Sequence, residues 1–157
     1  ICGGFQMLGE RIDDPQGLES DPGSSQGLGW LAMSTELIAG KELANTKGKL
    51  LASGSPVQGY EIHNGITRGE ALSRPMLMLG DRYDGAMSED GLVMGCYLHG
   101  LFDVADSGNA ILAWAGLHDN RGVDYAAHRE QQLDRLADMV ESHMDMTILQ
   151  ETISGAD

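Results

Sequence analysis

The sequence predicts an α/β fold, on three observations: a sharp strand-to-helix turn at its start, a β-rich middle, and a helical period at its end. Ile1-Cys2-Gly3-Gly4 sets two glycines where a short strand would turn into a helix. Between Gly27 and Leu79, short apolar runs alternate with turn residues, as expected of strands. From Asp124 to about Glu151, Leu133, Leu136, Ala137, Val140 and Met144 recur at intervals of three and four, with Asp and Arg between them. The chain has 157 residues, enough for one compact domain with its own core.

Taken in order, the first helix is expected from Phe5 to about Ile12, because Phe5, Leu8 and Ile12 share one helical face. Asp13-Asp14-Pro15-Gln16-Gly17 stops it, and the Gly/Ser/Pro-rich stretch from Pro15 to Gly27 reads as a surface loop. Strands are expected near Leu28–Met33, Lys49–Ser53, Val57–His63 and Met76–Leu79. Asp84-Gly85 and Asp90-Gly91 are turn pairs. The run Leu92-Val93-Met94-Gly95-Cys96-Tyr97-Leu98 after them reads as a buried strand that ends at His99-Gly100. The last segment reads as one long amphipathic helix packed on the body. Met87, Met94, Met139 and Met144 fall at core or helix-face positions, which suits methionine as a gap filler.

Composition excludes several classes of function. A formal net charge of -14, with only 10 Lys and Arg along the whole chain, cannot supply the clustered cations that a phosphate backbone requires. No apolar stretch approaches the roughly eighteen residues of a membrane span, and no basic leader precedes an apolar core, so a cytoplasmic protein without a membrane partner is expected. Two cysteines, Cys2 and Cys96, make no disulfide scaffold, and no Cys/His cluster has metal-ligand spacing. No metal is expected, and no glycine-rich nucleotide motif is present.

Cys2 is the residue most suited to chemistry. A cysteine at a glycine-flanked strand-to-helix turn is exposed, and the helix N-terminus beneath it favours thiolate over thiol. The Gly3 N–H would then face a developing oxyanion. A buried, inert cysteine ending an interior strand is the competing reading. Such a nucleophile needs a base. His99, at the end of an apolar run, is the first candidate, with His63 before Asn64-Gly65 as its rival. His118, His128 and His143 lie in polar or helical surroundings and read as solvated. Gln6, one helical turn beyond Cys2, either holds polar groups of a substrate or lies on a solvated face.

Three ordered motifs carry a resemblance. Ile1-Cys2-Gly3-Gly4-Phe5-Gln6-Met7-Leu8-Gly9 resembles the nucleophile elbow of class I glutamine amidotransferases, in particular their cobyric acid synthase branch. Gly59-Tyr60-Glu61-Ile62-His63-Asn64-Gly65 and Tyr97-Leu98-His99-Gly100-Leu101-Phe102-Asp103 are similar to two further signatures of that branch, and Arg135-Leu136-Ala137-Asp138 also matches. The resemblance implies a flavodoxin-like α/β sandwich in which Cys2 attacks the side-chain amide of glutamine and His99 carries the proton. Gly3 and Gln6 would hold oxyanion and substrate. The ammonia released would pass to a synthetase domain that uses ATP and magnesium to amidate carboxylates of a corrin, and the glutaminase part itself would need no cofactor. Related a,c-diamide synthases and the glutaminase of cell-wall lipid amidation share the Cys-Gly-Gly elbow, but Gln6-Met7 and His99-Gly100-Leu101-Phe102-Asp103 fit the cobyric acid synthase branch better. A noncatalytic interaction module on the same fold is disfavoured by the presence of both Cys2 and His99.

Three departures qualify the resemblance. Where many class I enzymes carry a glutamate two residues after the catalytic histidine, this chain has Leu101, which leaves Glu61, Asp103 or an acid outside residues 1–157 to orient His99. Cys96 stands where the branch has threonine. The chain also opens one residue before the nucleophile, so it reads as a partial domain that lacks its leading strands and the second oxyanion donor, and that is expected to be inactive alone.

Overall fold

The computed structural model describes residues 1–118 and 124–155, and the chain divides into two compact units, Ile1–Gly122 and Val123–Asp157. The first unit is α/β. It comprises α1 (Gly3–Leu8), β1 (Arg11–Asp14), β2 (Gly23–Gln26), β3 (Ser34–Leu50), β4 (Pro56–Arg68), β5 (Leu77–Leu79), β6 (Arg82–Asp84), β7 (Ala86–Met87), β8 (Met94–Gly95) and α2 (Ala105–Trp114). A single 3-10 turn, Glu70–Ser73, precedes β5.

The 17-residue strand β3 organises the main sheet. β4 runs antiparallel along β3, from Ser34 opposite Arg68 to Lys49 opposite Pro56, with a register shift between Leu37 and Glu42. β1 pairs parallel with the start of β3 and antiparallel with β2, while β5 pairs with its end and carries β6. β7 and β8 form a separate two-stranded ribbon. Sequence reading located β4 and β5 but met β3 only at its end, in the strand expected at Lys49–Ser53, because Gly40, Gly48 and the lysines within it are poor strand formers. Pairing along the 13-residue strand β4 overrides that weak local preference.

Other elements differ from expectation for identifiable reasons. α1 ends at Leu8, and Ile12 belongs to β1. The N–H groups of Leu28, Trp30 and Leu31 donate to the carbonyls of Met7 and Leu8, which are the carbonyls a helix end leaves open. The segment expected as a strand at 28–33 is therefore a strap across the end of α1. The expected loop from Pro15 to Gly27 contains β2, and it is closed by Asp14, which accepts the N–H groups of Leu18, Glu19 and Ser20 at 2.8, 3.0 and 3.3 Å. Those donors, Glu19 first, hold the Asp14 carboxyl below the usual carboxylate range. The second unit holds α3 (Tyr125–His143) and α4 (Met146–Ser154) in place of one continuous helix. Asp145 interrupts them, its side chain accepting the N–H groups of Thr147 and Ile148 as an N-cap.

The apolar run at 92–98 is only partly a strand. Met94 and Gly95 pair in β8, whereas Cys96, Tyr97 and Leu98 are buried without ladder partners. A side chain takes two of their N–H groups: the buried carboxylate of Asp84 accepts that of Tyr97 at 3.1 Å and that of Leu98 at 3.2 Å. Cys96, Leu98 and Leu101 belong to one core cluster with Leu77 and Leu79, and Tyr97 belongs to a second with Phe5, Leu31 and Met33. Asp84 thus ties the segment leading to His99 between both cores.

Burial pushes the Asp84 carboxyl above its ordinary value, and the N–H groups of Leu98, Gly85 and Tyr97 offset this only in part. A folded-state pKa above the unfolded one means that the folded state holds the proton more tightly. The stabilisation from this group is then fully present below the unfolded carboxylate range and is lost as pH rises through the folded value. Measured by urea midpoints, the stability of the wild type relative to Asp84→Asn is expected to increase as pH falls from neutral toward the carboxylate range. A difference that does not vary with pH would refute this.

Candidate active site

Cys2 is the only non-glycine residue with positive φ among the described residues, at φ 53° and ψ -117°. A side chain in this region costs on the order of 1–3 kcal/mol, which the surroundings must supply. They do so from both sides. The Cys2 N–H donates to the Cys96 carbonyl at 2.9 Å, and the Cys2 carbonyl accepts the Gln6 N–H at 3.0 Å as α1 begins. The turn leaves the thiol half-buried, directed at the Ile62 carbonyl 3.5 Å away. A Cβ placed at Gly3 or Gly4 would meet nothing within 4 Å, so the space in front of the elbow is open.

His99 reaches the same edge of β4. Its N–H donates to the Tyr60 carbonyl at 2.8 Å, the Tyr60 N–H donates back at 3.2 Å, and the two rings stack with centroids 4.9 Å apart. Alternate residues of a strand present their backbone groups to the same side, so Tyr60 and Ile62 turn theirs toward His99 and Cys2 respectively. The two sequence-predicted residues therefore dock two residues apart on one strand edge, about 7 Å by strand rise. His99 Nε2 is buried and has no hydrogen-bond partner among the described residues.

Of the acids considered for orienting His99, Glu61 is ruled out by strand geometry. Residues paired across an antiparallel bridge share a face, so the His99 ring lies on the Tyr60 face and Glu61 projects to the other. There Glu61 is buried and ion-paired with Arg82. Asp103 curls under Gly100, its N–H on the Gly100 carbonyl at 3.0 Å, and bonds to neither ring nitrogen of His99. The thiol of Cys96 is pushed up to about 12, chiefly by burial and then by the Asp84 charge beside it, so it stays protonated. The second cysteine is a core residue, as expected for a replacement of threonine.

Gln6 is buried rather than solvated. It donates through Nε2 to the Tyr97 hydroxyl at 3.3 Å, and that hydroxyl bonds to Thr67 at 2.6 Å. Gln6 and Gly3 line a cavity of about 460 Å³ with Cys2, Ile62, His63 and Asn64. Its other wall is the loop that Asp14 closes, including Glu19, Asp21 and Ser24. Sequence reading missed this wall because nothing local marks a polar loop as facing a cavity rather than solvent. His63 lies on the cavity wall, stacked on Tyr97 at 3.8 Å, whereas His118 is exposed as expected. His143 bonds through Nδ1 to the Met139 carbonyl within α3. Among the described residues, no three His, Cys, Asp or Glu side chains are grouped to hold a metal ion, and no helix is long and apolar enough to cross a membrane.

The strained cysteine stands at a polar cavity and a histidine docks two residues away on the same strand edge, and one comparison decides the family. The model of the CobB/CobQ-like glutamine amidotransferase domain matches residues 1–107. The chain belongs to that family. Its elbow, the β4 motif and the His99 segment all fall within the matched residues. As a glutamine amidotransferase domain, it belongs with proteins that take glutamine and pass ammonia on.

The glycines at the two ends of the β4 motif have clear steric reasons. A Cβ at Gly59 would collide with the His99 carbonyl, and one at Gly65 would come within 2.5 Å of Gln6 Nε2. Both are places where a site residue passes over the strand. Gly59→Ala and Gly65→Ala are each expected to lose roughly 1–3 kcal/mol through forced displacement. By contrast, Gly4→Ala lies in open space within α1 and is expected to be neutral or to gain up to about 1 kcal/mol. Denaturation midpoints check this, and equal losses at all three positions would contradict it.

Proposed function

We propose that the domain hydrolyses glutamine to glutamate and ammonia, with Cys2 as nucleophile and His99 as proton carrier. The observation that carries the reading is the backbone of Cys2. Strain of that kind persists only where surrounding structure maintains it, and here it sets a half-buried thiol at the wall of a polar cavity. The thiol turns from the Ile62 carbonyl toward His99, gives up its proton to Nε2, and the sulfur attacks the carboxamide carbon. Hydrogen bonds of this kind commonly tighten only when substrate is bound. The oxygen becomes an oxyanion opposite the Gly3 N–H, a donor without an intrahelical partner at the start of α1. One such donor contributes on the order of 10²–10³ in rate. The C–N bond then breaks as the proton from His99 passes to nitrogen, ammonia leaves, and water cleaves the thioester through the same base.

The finer reading is that this is the glutaminase of a cobyric acid synthase. It is supported by Gln6-Met7 after the elbow and by His99-Gly100-Leu101-Phe102-Asp103, within the match to the CobB/CobQ-like family. The ammonia is then used by a synthetase domain that activates carboxylates of adenosylcobyrinic acid a,c-diamide with ATP and magnesium. In the full-length protein, Cys2→Ala is expected to abolish glutamine-dependent amidation, by at least about 10³-fold, while amidation from added ammonium persists. His99→Asn is expected to cost about 10²–10⁴-fold with glutamine. Undiminished ammonia release by Cys2→Ala would refute the mechanism. Amidation of no corrin carboxylate by the wild type would refute the finer assignment.

A further inference from the structure

Building on the reading of Cys2 as nucleophile, we propose that His63 reads the carboxamide of glutamine: its Nε2 accepts a hydrogen bond from the substrate amide nitrogen and so selects glutamine over glutamate. The tautomer is set by the protein. His63 Nδ1 lies 3.1 Å from the Gly65 carbonyl, and a carbonyl can only accept, so Nδ1 carries a hydrogen, and in that tautomer Nε2 is the ring's acceptor. The ring is held in plane by Tyr97, with centroids 3.8 Å apart and planes 19° apart. Its position is at the reacting end of the cavity. The Ile62 carbonyl accepts the Cys2 thiol, and the next Cα, that of His63, is within about 3 Å of that oxygen by peptide geometry.

The chemistry of the substrate supplies the rest. A carboxamide at Cys2 sends its oxygen toward the Gly3 N–H, which leaves two amide hydrogens in need of acceptors. A carboxylate in the same place offers only lone pairs, and these oppose the lone pair of Nε2. Sites built around such a bond disfavour the analogue that lacks the hydrogen, because the acceptor then faces a second lone pair in place of a donor.

The test uses the full-length protein, with His63→Gln and His63→Asn compared for glutaminase KM, inhibition by glutamate, and the rate of Cys2 alkylation by N-ethylmaleimide. Gln supplies a carbonyl acceptor on a longer side chain, whereas Asn is too short to reach the cavity. The Asn variant is expected to raise the KM for glutamine about tenfold and to lose a similar factor of discrimination against glutamate, with Gln recovering part of both. Alkylation by N-ethylmaleimide, which has no amide N–H for Nε2 to accept, is expected to stay within about twofold. Unchanged KM and glutamate inhibition in both variants would overturn the inference, as would alkylation that falls in step with kcat, which would make His63 the base. Wild-type ammonia release that does not depend on Cys2 would instead remove the reading on which the inference rests.

Discussion

A single backbone conformation, that of Cys2, organises the first unit. Its left-handed φ is unfavourable for any side chain, and two hydrogen bonds together with two core clusters hold it. The bond to the Cys96 carbonyl ties the elbow to the segment between β8 and His99, and the bond from Gln6 commits the chain to α1 at once. α1 is anchored in turn by Phe5, which packs edge-on against Tyr97 at 5.2 Å. The segment that carries His99 thus also holds Cys2.

β4 is the second organiser. One edge is fully committed to β3, and the other receives His99 at Tyr60 and Cys2 at Ile62. Its inner face is relieved at Gly59 and Gly65 so that backbone and side chain can pass over it. Asp84 replaces strand pairing for Tyr97 and Leu98, which frees the chain to leave the sheet and turn toward β4. A buried carboxylate is a costly way to satisfy two N–H groups. Here it gives an irregular segment a fixed path.

Legibility in the sequence followed the range of the interactions. The elbow was readable because Cys2-Gly3-Gly4 is a local device, and β4, β5 and the Asp90-Gly91 turn were readable from alternation and turn chemistry. His99 was found because an apolar run ended there, although that run proved to be mostly a non-strand segment held by Asp84. β3 was not readable as one element: its glycines and lysines argue against a strand, and only pairing with β4 overrides them. The strap at 28–31 was mistaken for a strand because its N–H groups are satisfied by a helix end distant from any sheet. The cavity wall from Glu19 to Ser24 and the inward turn of Gln6 depend wholly on tertiary placement, and a sequence carries no local mark of either. Glu61 looked available to His99 in sequence, and the two-residue period of a strand puts it on the opposite face.

The most direct measurement is the site of covalent capture by 6-diazo-5-oxo-norleucine, a glutamine mimic with a reactive diazoketone, mapped by peptide mass spectrometry on the full-length protein. The expected result is an adduct on Cys2 alone, suppressed by glutamine, with the buried, protonated Cys96 unmodified. Modification of Cys96 at an equal rate, or none at Cys2, would contradict the assignment of the strained elbow as the nucleophile.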